Sequence, residues 1–190
     1  MQDLQVAFEQ EYGDCQRTLT EISYDDANER RFCVSDEKYL DFDWVAQKYF
    51  SGKNKPATVD MLAFGSEHVL LVEFKAGKNV KVEKQQLQFK LLASILLYER
   101  VATTIVNLEA SKLVSTRFVY VVVFNPQNCP SSSVRTKGIQ NHLDKVKVRF
   151  GIDKYKGSFL EDAFTPECGN EFTKLLQRFG VKVQFEPLPE

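Results

Sequence analysis

The 190-residue chain has only two histidines and four cysteines, and no two of the cysteines form a CxxC pair. A structural zinc site needs a cluster of Cys and His ligands, so this composition argues against one. Cys15, Cys33, Cys129 and Cys168 lie far apart, as is typical of reduced thiols in a reducing compartment. No apolar secretory segment follows Met1, and no apolar run approaches the roughly 20 residues that span a membrane. We therefore expect a cytoplasmic protein with no membrane association.

Several motifs of common enzyme classes are also missing. The sequence contains neither a Walker phosphate-binding loop nor a GxGxxG dinucleotide motif. Ser131–Ser133 are not part of a GxSxG elbow, which argues against a serine hydrolase. No internal repeat, low-complexity segment or Pro/Gly-rich linker divides the chain. We predict a single domain over residues 1–190, long enough to bury a hydrophobic core.

The net charge of −1 gives no overall sign of nucleic-acid binding. One segment differs from the rest, because residues 75–90 (KAGKNVKVEKQQLQFK) contain five lysines and one glutamate. A run of like charges is usually a solvated face. The alternative is a surface for phosphate groups.

Three apolar segments predict strands of a sheet that is covered on both faces. They are residues 57–64, 68–75 and 117–124, and a hairpin-length loop joins the first two. Helical periodicity predicts helices at 2–12, at 44–50 with Asp41 or Asp43 as the cap, at 80–102, at 134–146 and at 168–179. Short strands are expected at 30–35 and 181–185. This order predicts an α/β fold with a central mixed β-sheet flanked by helices.

The paired segments each carry one carboxylate inside an apolar run, Asp60 and Glu73. The loop centre lies midway between them, so an antiparallel hairpin sets them directly opposite, about 4.5–5.5 Å apart at Cβ. Two carboxylates this close repel each other unless a cation such as Mg²⁺ lies between them, and the backbone carbonyl of Phe74 would add an oxygen ligand. Lys75 shares the face of Glu73 because strand side chains alternate. Metal, carboxylates and lysine together predict a site that hydrolyses phosphodiesters.

Asp60 followed by E73-F74-K75, on two consecutive strands before a long helix, resembles the PD-(D/E)xK nuclease superfamily. The resemblance implies a restriction-endonuclease-like fold. It also implies that Asp60 and Glu73 bind Mg²⁺ or Mn²⁺ and that Lys75 assists the attacking water.

The long helix carries a glutamine where many members of this superfamily have Gln or Lys. Gln86 shares a stripe with Phe89, Ala93 and Leu96, spaced 3, 4 and 3 residues apart, which we expect to face the sheet. It resembles the QxxxY element of RecB-type and phage-exonuclease branches, with Lys90 where the tyrosine would stand. The resemblance implies that Gln86 orients the site or contacts the substrate. Apolar residues around most of this helix predict that it is well buried.

Members of the superfamily often carry a further glutamate on the first helix. Glu11 is the best candidate for this additional metal ligand, and Glu9 and Glu29 come next. The lysines of the basic segment would contact DNA phosphates without regard to base sequence; they are Lys78, Lys81, Lys84 and Lys90.

The expected function is a Mg²⁺- or Mn²⁺-dependent nuclease that acts on DNA, with DNA preferred to RNA by resemblance alone. Two alternatives stay open. The first is a nuclease-like fold that works as a non-catalytic module for binding nucleic acid or protein, for example a phage or bacterial conflict factor. The second is a structural domain in which Glu73 and Lys75 form an ordinary ion pair. A homodimer and a protein partner are both compatible with the sequence.

Overall fold

The protein is described here by a computed structural model. It describes residues 1–26, 29–51, 54–75, 80–106, 116–124, 151–167 and 169–183, with the backbone alone at residues 30, 80–83 and 106. The predicted helix at 134–146 lies outside this range.

The helices and the strands of the described residues are each numbered in chain order. The helices are α1 (Gln2–Tyr12), α2 (Leu19–Ile22), α3 (Phe42–Tyr49), α4 (Val80–Val106) and α5 (Asn170–Arg178). The strands are β1 (Gln16–Thr18), β2 (Tyr24–Asp25), β3 (Arg30–Arg31), β4 (Lys38–Asp41), β5 (Met61–Phe64), β6 (His68–Lys75), β7 (Arg117–Phe124) and β8 (Asp162–Phe164). Two 3-10 turns cover Gly13–Cys15 and Asp153–Tyr155.

Six strands form one mixed sheet in the order β1-β4-β5-β6-β7-β8, and β2 pairs with β3 separately. The strands from β1 to β6 pair antiparallel, whereas β7 is parallel to both β6 and β8. A parallel pair needs a long crossover, and α4 lies in the connection between β6 and β7. The structure is therefore an α/β fold with a central mixed sheet and flanking helices, as predicted.

The sheet is covered on both faces by separate hydrophobic clusters. One cluster joins α1, α3 and α4 to one face of the sheet, and its members include Phe8, Leu71 and Tyr98. The other joins α2 and α5 to the opposite face and includes Val72 and Phe172. Burial on both faces explains the nearly continuous apolar sequences of β6 and β7. Among the described residues, no helix is both long and apolar enough to cross a membrane.

The predicted bounds hold for one amphipathic helix and for the two most apolar strands. The structure confirms the helix at 2–12 and the strands at 68–75 and 117–124. Asp41 caps α3, because its carboxylate accepts a hydrogen bond from the Trp44 N–H group at 3.0 Å.

Other predicted bounds were too long. The strand expected at 57–64 begins only at Met61, because the main chain before it bonds outside the sheet. There the Val59 N–H group bonds to the Ser94 hydroxyl and the Asp60 carbonyl accepts from the Phe42 N–H group. Of the strand expected at 30–35, only Arg30–Arg31 forms, outside the main sheet. Residues 181–183 are not a strand, and residues 184–185 lie outside the described range.

Candidate active site

The register between β5 and β6 sets the two predicted carboxylates level with each other. Met61 pairs with Val72, which is the register that the loop length predicts. Asp60 directly precedes β5 and therefore lies opposite Glu73. The Glu73 side chain is only 1% exposed and that of Asp60 is 24% exposed, so both carboxylates are largely withdrawn from water.

Hydrogen bonds from two main-chain N–H groups fix the Asp60 carboxylate and the segment before it. The Phe74 N–H group donates to Asp60 Oδ2 at 2.7 Å. The Val59 N–H group donates to the hydroxyl of the buried Ser94 at 2.9 Å, which ties this segment to α4. In an extended strand the N–H and carbonyl groups of one residue point to the same edge. The Phe74 carbonyl therefore lies on the strand edge that carries Asp60, as its predicted role as a ligand requires.

Two lysine ammonium groups neutralise the carboxylates. Lys75 Nζ lies 2.8 Å from Glu73 Oε1, which confirms that these side chains share a face of the strand. Lys90 Nζ, from α4, lies 2.8 and 2.9 Å from the two Glu73 oxygens and 3.2 Å from Asp60 Oδ1. Buried charges are tolerated when they are paired and hydrogen-bonded. This cluster of two carboxylates and two ammonium groups meets that condition.

Burial and mutual repulsion change the acidity of the site. Burial raises the pKa of Asp60 to about 7, and the negative charge of Glu73 adds to this, while Lys90 and the Phe74 N–H group act against it. Burial also raises the pKa of Asp41 to about 6, with the nearby charges of Asp43 and Asp60 contributing. Although burial lowers the pKa of Lys90, the two carboxylates outweigh it and hold that pKa above its ordinary value. Asp60 therefore changes charge near neutral pH.

We expect the chain in metal-free buffer to lose stability as the pH rises from about 4 to about 7 because of Asp60. Its carboxyl holds a proton in the folded chain up to about pH 7, but in the unfolded chain only up to its ordinary pKa of 3.8. The stabilisation is complete below the lower value and is lost as the pH passes the higher one.

Urea unfolding at pH 5 and pH 8 with EDTA measures this effect. Between these pH values the free energy of unfolding should fall by roughly 2–3 kcal/mol more in the wild-type chain than in Asp60→Asn. Asp41 contributes with the same sign in both chains, and the larger part of its effect, which comes from burial, cancels in the comparison. An equal pH dependence in the two chains would contradict the raised pKa.

The prediction that Gln86 lies on a sheet-facing stripe was wrong. Gln86 is exposed, and its stripe partners Phe89 and Leu96 are 73% and 62% exposed, so α4 is buried on one side only. The buried side carries Leu87 and Leu91 instead, and Lys90 lies next to them with its ammonium group at the carboxylates. Lys90, predicted as a phosphate contact, is thus the α4 residue inside the site.

The other predicted ligands and contacts that the structure describes are exposed at the surface. Glu11 is exposed at the end of α1, where its carbonyl accepts from Lys48 Nζ at 2.7 Å. Glu9 and Glu29 are also exposed. Lys84 is exposed, with its ammonium group beside Gly151. Lys78 and the side chain of Lys81 lie outside the described residues.

Sequence reasoning missed two buried residues that shape the site, Ser94 and Tyr120. Ser94 holds the segment before Asp60, and the Tyr120 hydroxyl donates to the Leu87 carbonyl at 3.3 Å. Burial beside the two carboxylates raises the pKa of Tyr120 well above its ordinary value. A signal for the buried side of α4 was present, because Leu87, Leu91, Ser94 and Tyr98 are spaced 4, 3 and 4 residues apart.

The donor atoms of the site suit a hard divalent cation. The carboxylates of Asp60 and Glu73 and the Phe74 carbonyl are oxygen ligands of the kind that Mg²⁺ prefers. Among the described residues, no group of three or more His, Cys, Asp or Glu side chains is placed to hold a metal ion. A metal here would therefore depend on two carboxylates, with water and substrate oxygens completing its shell, which is usual for Mg²⁺.

Comparison of the chain with protein-family models, curated proteins and solved structures finds no match.

Proposed function

We propose that the chain is a Mg²⁺- or Mn²⁺-dependent nuclease that hydrolyses phosphodiester bonds of DNA, with Asp60 and Glu73 in its active site. The observation that carries the proposal is a largely buried carboxylate pair with two lysine ammonium groups in contact with it. The resemblance of Asp60 and E73-F74-K75 to the PD-(D/E)xK superfamily, with its restriction-endonuclease-like core, supports the same proposal.

Each charged group has a role in such a reaction. Asp60 and Glu73 would hold the divalent cation, which supplies Lewis-acid polarisation of the phosphoryl group when bound. Lys75 would orient the attacking water, whose oxygen forms the new bond to phosphorus as the ester bond breaks. Its ammonium group lies 2.8 Å from Glu73 Oε1 and its side chain is 18% exposed, so it contacts one carboxylate and is also within reach of water. A lysine so placed also stabilises negative charge on the phosphoryl oxygens.

A second candidate function is a non-catalytic binding or regulatory module. The observation in its favour is that Lys75 and Lys90 already neutralise both carboxylates. An ion cluster that is satisfied within the chain is stable without turnover. Metal-dependent cleavage separates the two candidates.

The test is a cleavage assay on linear duplex, circular duplex and single-stranded DNA, with an RNA strand alongside. We expect cutting with Mg²⁺ or Mn²⁺, none with EDTA, and loss of cutting in Asp60→Asn. Asp14→Asn is the matched control. Asp14 is exposed, and its carboxylate lies 2.9 Å from Lys48 Nζ, outside the site.

The circular substrate distinguishes endonuclease from exonuclease action. If the metal raises the melting temperature but nothing is cut, the binding module is the better assignment. If the metal neither stabilises the chain nor promotes cutting, the nuclease proposal fails.

A further inference from the structure

The position of the Lys90 ammonium group is unlike that of the other lysine in the site. Lys90 Nζ is nearly equidistant from the two Glu73 oxygens, at 2.8 and 2.9 Å, and also lies 3.2 Å from Asp60 Oδ1. It therefore bridges the two carboxylates from the point that both of them face. Lys75 Nζ, by contrast, forms an ion pair with Glu73 Oε1 at 2.8 Å, to one side of this point.

A divalent cation shared by Asp60 and Glu73 would need the same place. Mg²⁺ binds carboxylate oxygens at about 2.0–2.1 Å, closer than an ammonium group does, so an ion held by both residues would contact oxygens that Lys90 contacts. Two cations in contact with the same oxygens repel each other strongly in a partly buried site. The ammonium group and the metal ion therefore exclude each other.

Lys90 has a route out of the site. Its side chain is 19% exposed, and it projects from a helix whose neighbouring residues Gln86 and Phe89 face solvent. A lysine ammonium group is a point charge on a flexible four-carbon stem, so it can move without the helix moving. The site thus has a largely buried holding position for the ammonium group and an open side to release it.

We propose that Lys90 is a positioning residue that acts as an internal counter-ion: its ammonium group holds Asp60 and Glu73 together, and a divalent cation binds by displacing it. This inference rests on the proposed function, because it takes Asp60 and Glu73 as the metal ligands. It gives Lys90 a role different from that of Lys75, and it predicts that the chain weakens its own affinity for metal.

Removal of the Lys90 charge tests the proposal through metal binding. Calorimetric titration with Mn²⁺ should show Lys90→Met binding about tenfold or more tightly than the wild-type chain, since the competing cation is gone. The same variant should melt at a lower temperature in EDTA and gain more from Mn²⁺ than the wild-type chain does. A purely structural lysine would lower the melting temperature without tightening metal binding.

Two further variants sharpen the comparison. Lys75→Met is the matched control, because it removes a lysine that contacts Glu73 but does not bridge the two carboxylates, so its affinity for Mn²⁺ should rise less. Lys90→Gln is the second variant, because its amide keeps uncharged hydrogen-bond donors at this position, which favours folding. If the Lys90 variants bind Mn²⁺ no more tightly than Lys75→Met, the proposal is overturned.

A labelling measurement on the wild-type chain completes the test. Acetylation of lysines followed by mass spectrometry should modify Lys90 slowly in EDTA and several-fold faster with saturating Mg²⁺, whereas Lys48 should not change. Unchanged labelling of Lys90 in a chain that Mg²⁺ stabilises would overturn the displacement. A chain that releases Lys90 but cuts no nucleic acid would uphold this inference and overturn the nuclease, and a chain that binds no metal would overturn both.

Discussion

Lys75→Ala should lower the rate of metal-dependent DNA cleavage by roughly 10²–10⁴-fold, the usual contribution of a group that positions or deprotonates a nucleophile. The expected loss follows from the place of Lys75, which contacts Glu73 and is partly exposed, so that it can meet an attacking water. The free energy of unfolding should change little, because Glu73 keeps its two contacts with Lys90. Cleavage rates at saturating metal, measured with melting temperatures, separate the two effects.

Two other variants define what Lys75 contributes. Lys75→Arg keeps the positive charge but cannot accept a proton, so recovery of cleavage in this variant would assign Lys75 a purely electrostatic role. Lys48→Ala is the matched control, because Lys48 also lies 2.9 Å from a carboxylate, that of Asp14, but outside the site. Full cleavage by Lys75→Ala would remove Lys75 from the proposed mechanism.

Glu73→Gln should abolish cleavage and also destabilise the fold by about 3–5 kcal/mol, the usual cost of breaking a buried ion pair from one side. The Glu73 carboxylate is almost completely buried and contacts both ammonium groups. Its replacement by a neutral amide leaves Lys75 and Lys90 close together, with Asp60 as the remaining carboxylate of the cluster. Urea unfolding in EDTA measures the loss of stability, and the cleavage assay measures the loss of function.

Glu67→Gln is the control for this substitution. Glu67 is 71% exposed and lies 3.6 Å from Arg117, so its ion pair should contribute less than about 1 kcal/mol. The two variants make the same chemical change on the same hairpin, one in a buried cluster and one at the surface. A Glu73→Gln chain as stable as Glu67→Gln would show that the buried carboxylate is not what holds the two lysines.

The hairpin that carries the carboxylates was predictable because its register depends on local features. A short loop between two apolar segments determines which residues lie opposite each other, and the two-residue period of a strand determines which side chains share a face. Asp60, Glu73 and Lys75 follow from these rules alone. The structure sets Asp60 level with Glu73, just before β5 rather than within it, and puts Lys75 beside Glu73.

The orientation of α4 was not predictable in the same way. Apolar residues surround this helix, so two stripes compete: one through Phe89 and Leu96, the other through Leu87 and Leu91. Packing against the sheet selects the second stripe and turns Lys90 into the site. Such a choice is a tertiary effect that periodicity alone does not resolve. For the same reason, the contact of Ser94 with the segment before Asp60 could not be inferred from sequence.

All four charged groups of the site come from one stretch of 31 residues between Asp60 and Lys90, although α1 and α3 precede it and β7 follows it. Bringing together residues that are this close in sequence costs little chain entropy. Contacts that are local in sequence also tend to form early in folding. Glu73 also pairs through β6 with Val122 of β7, which lies outside this stretch. The charges can therefore meet before β7 pairs with β6, while the chain around them is still partly exposed to water.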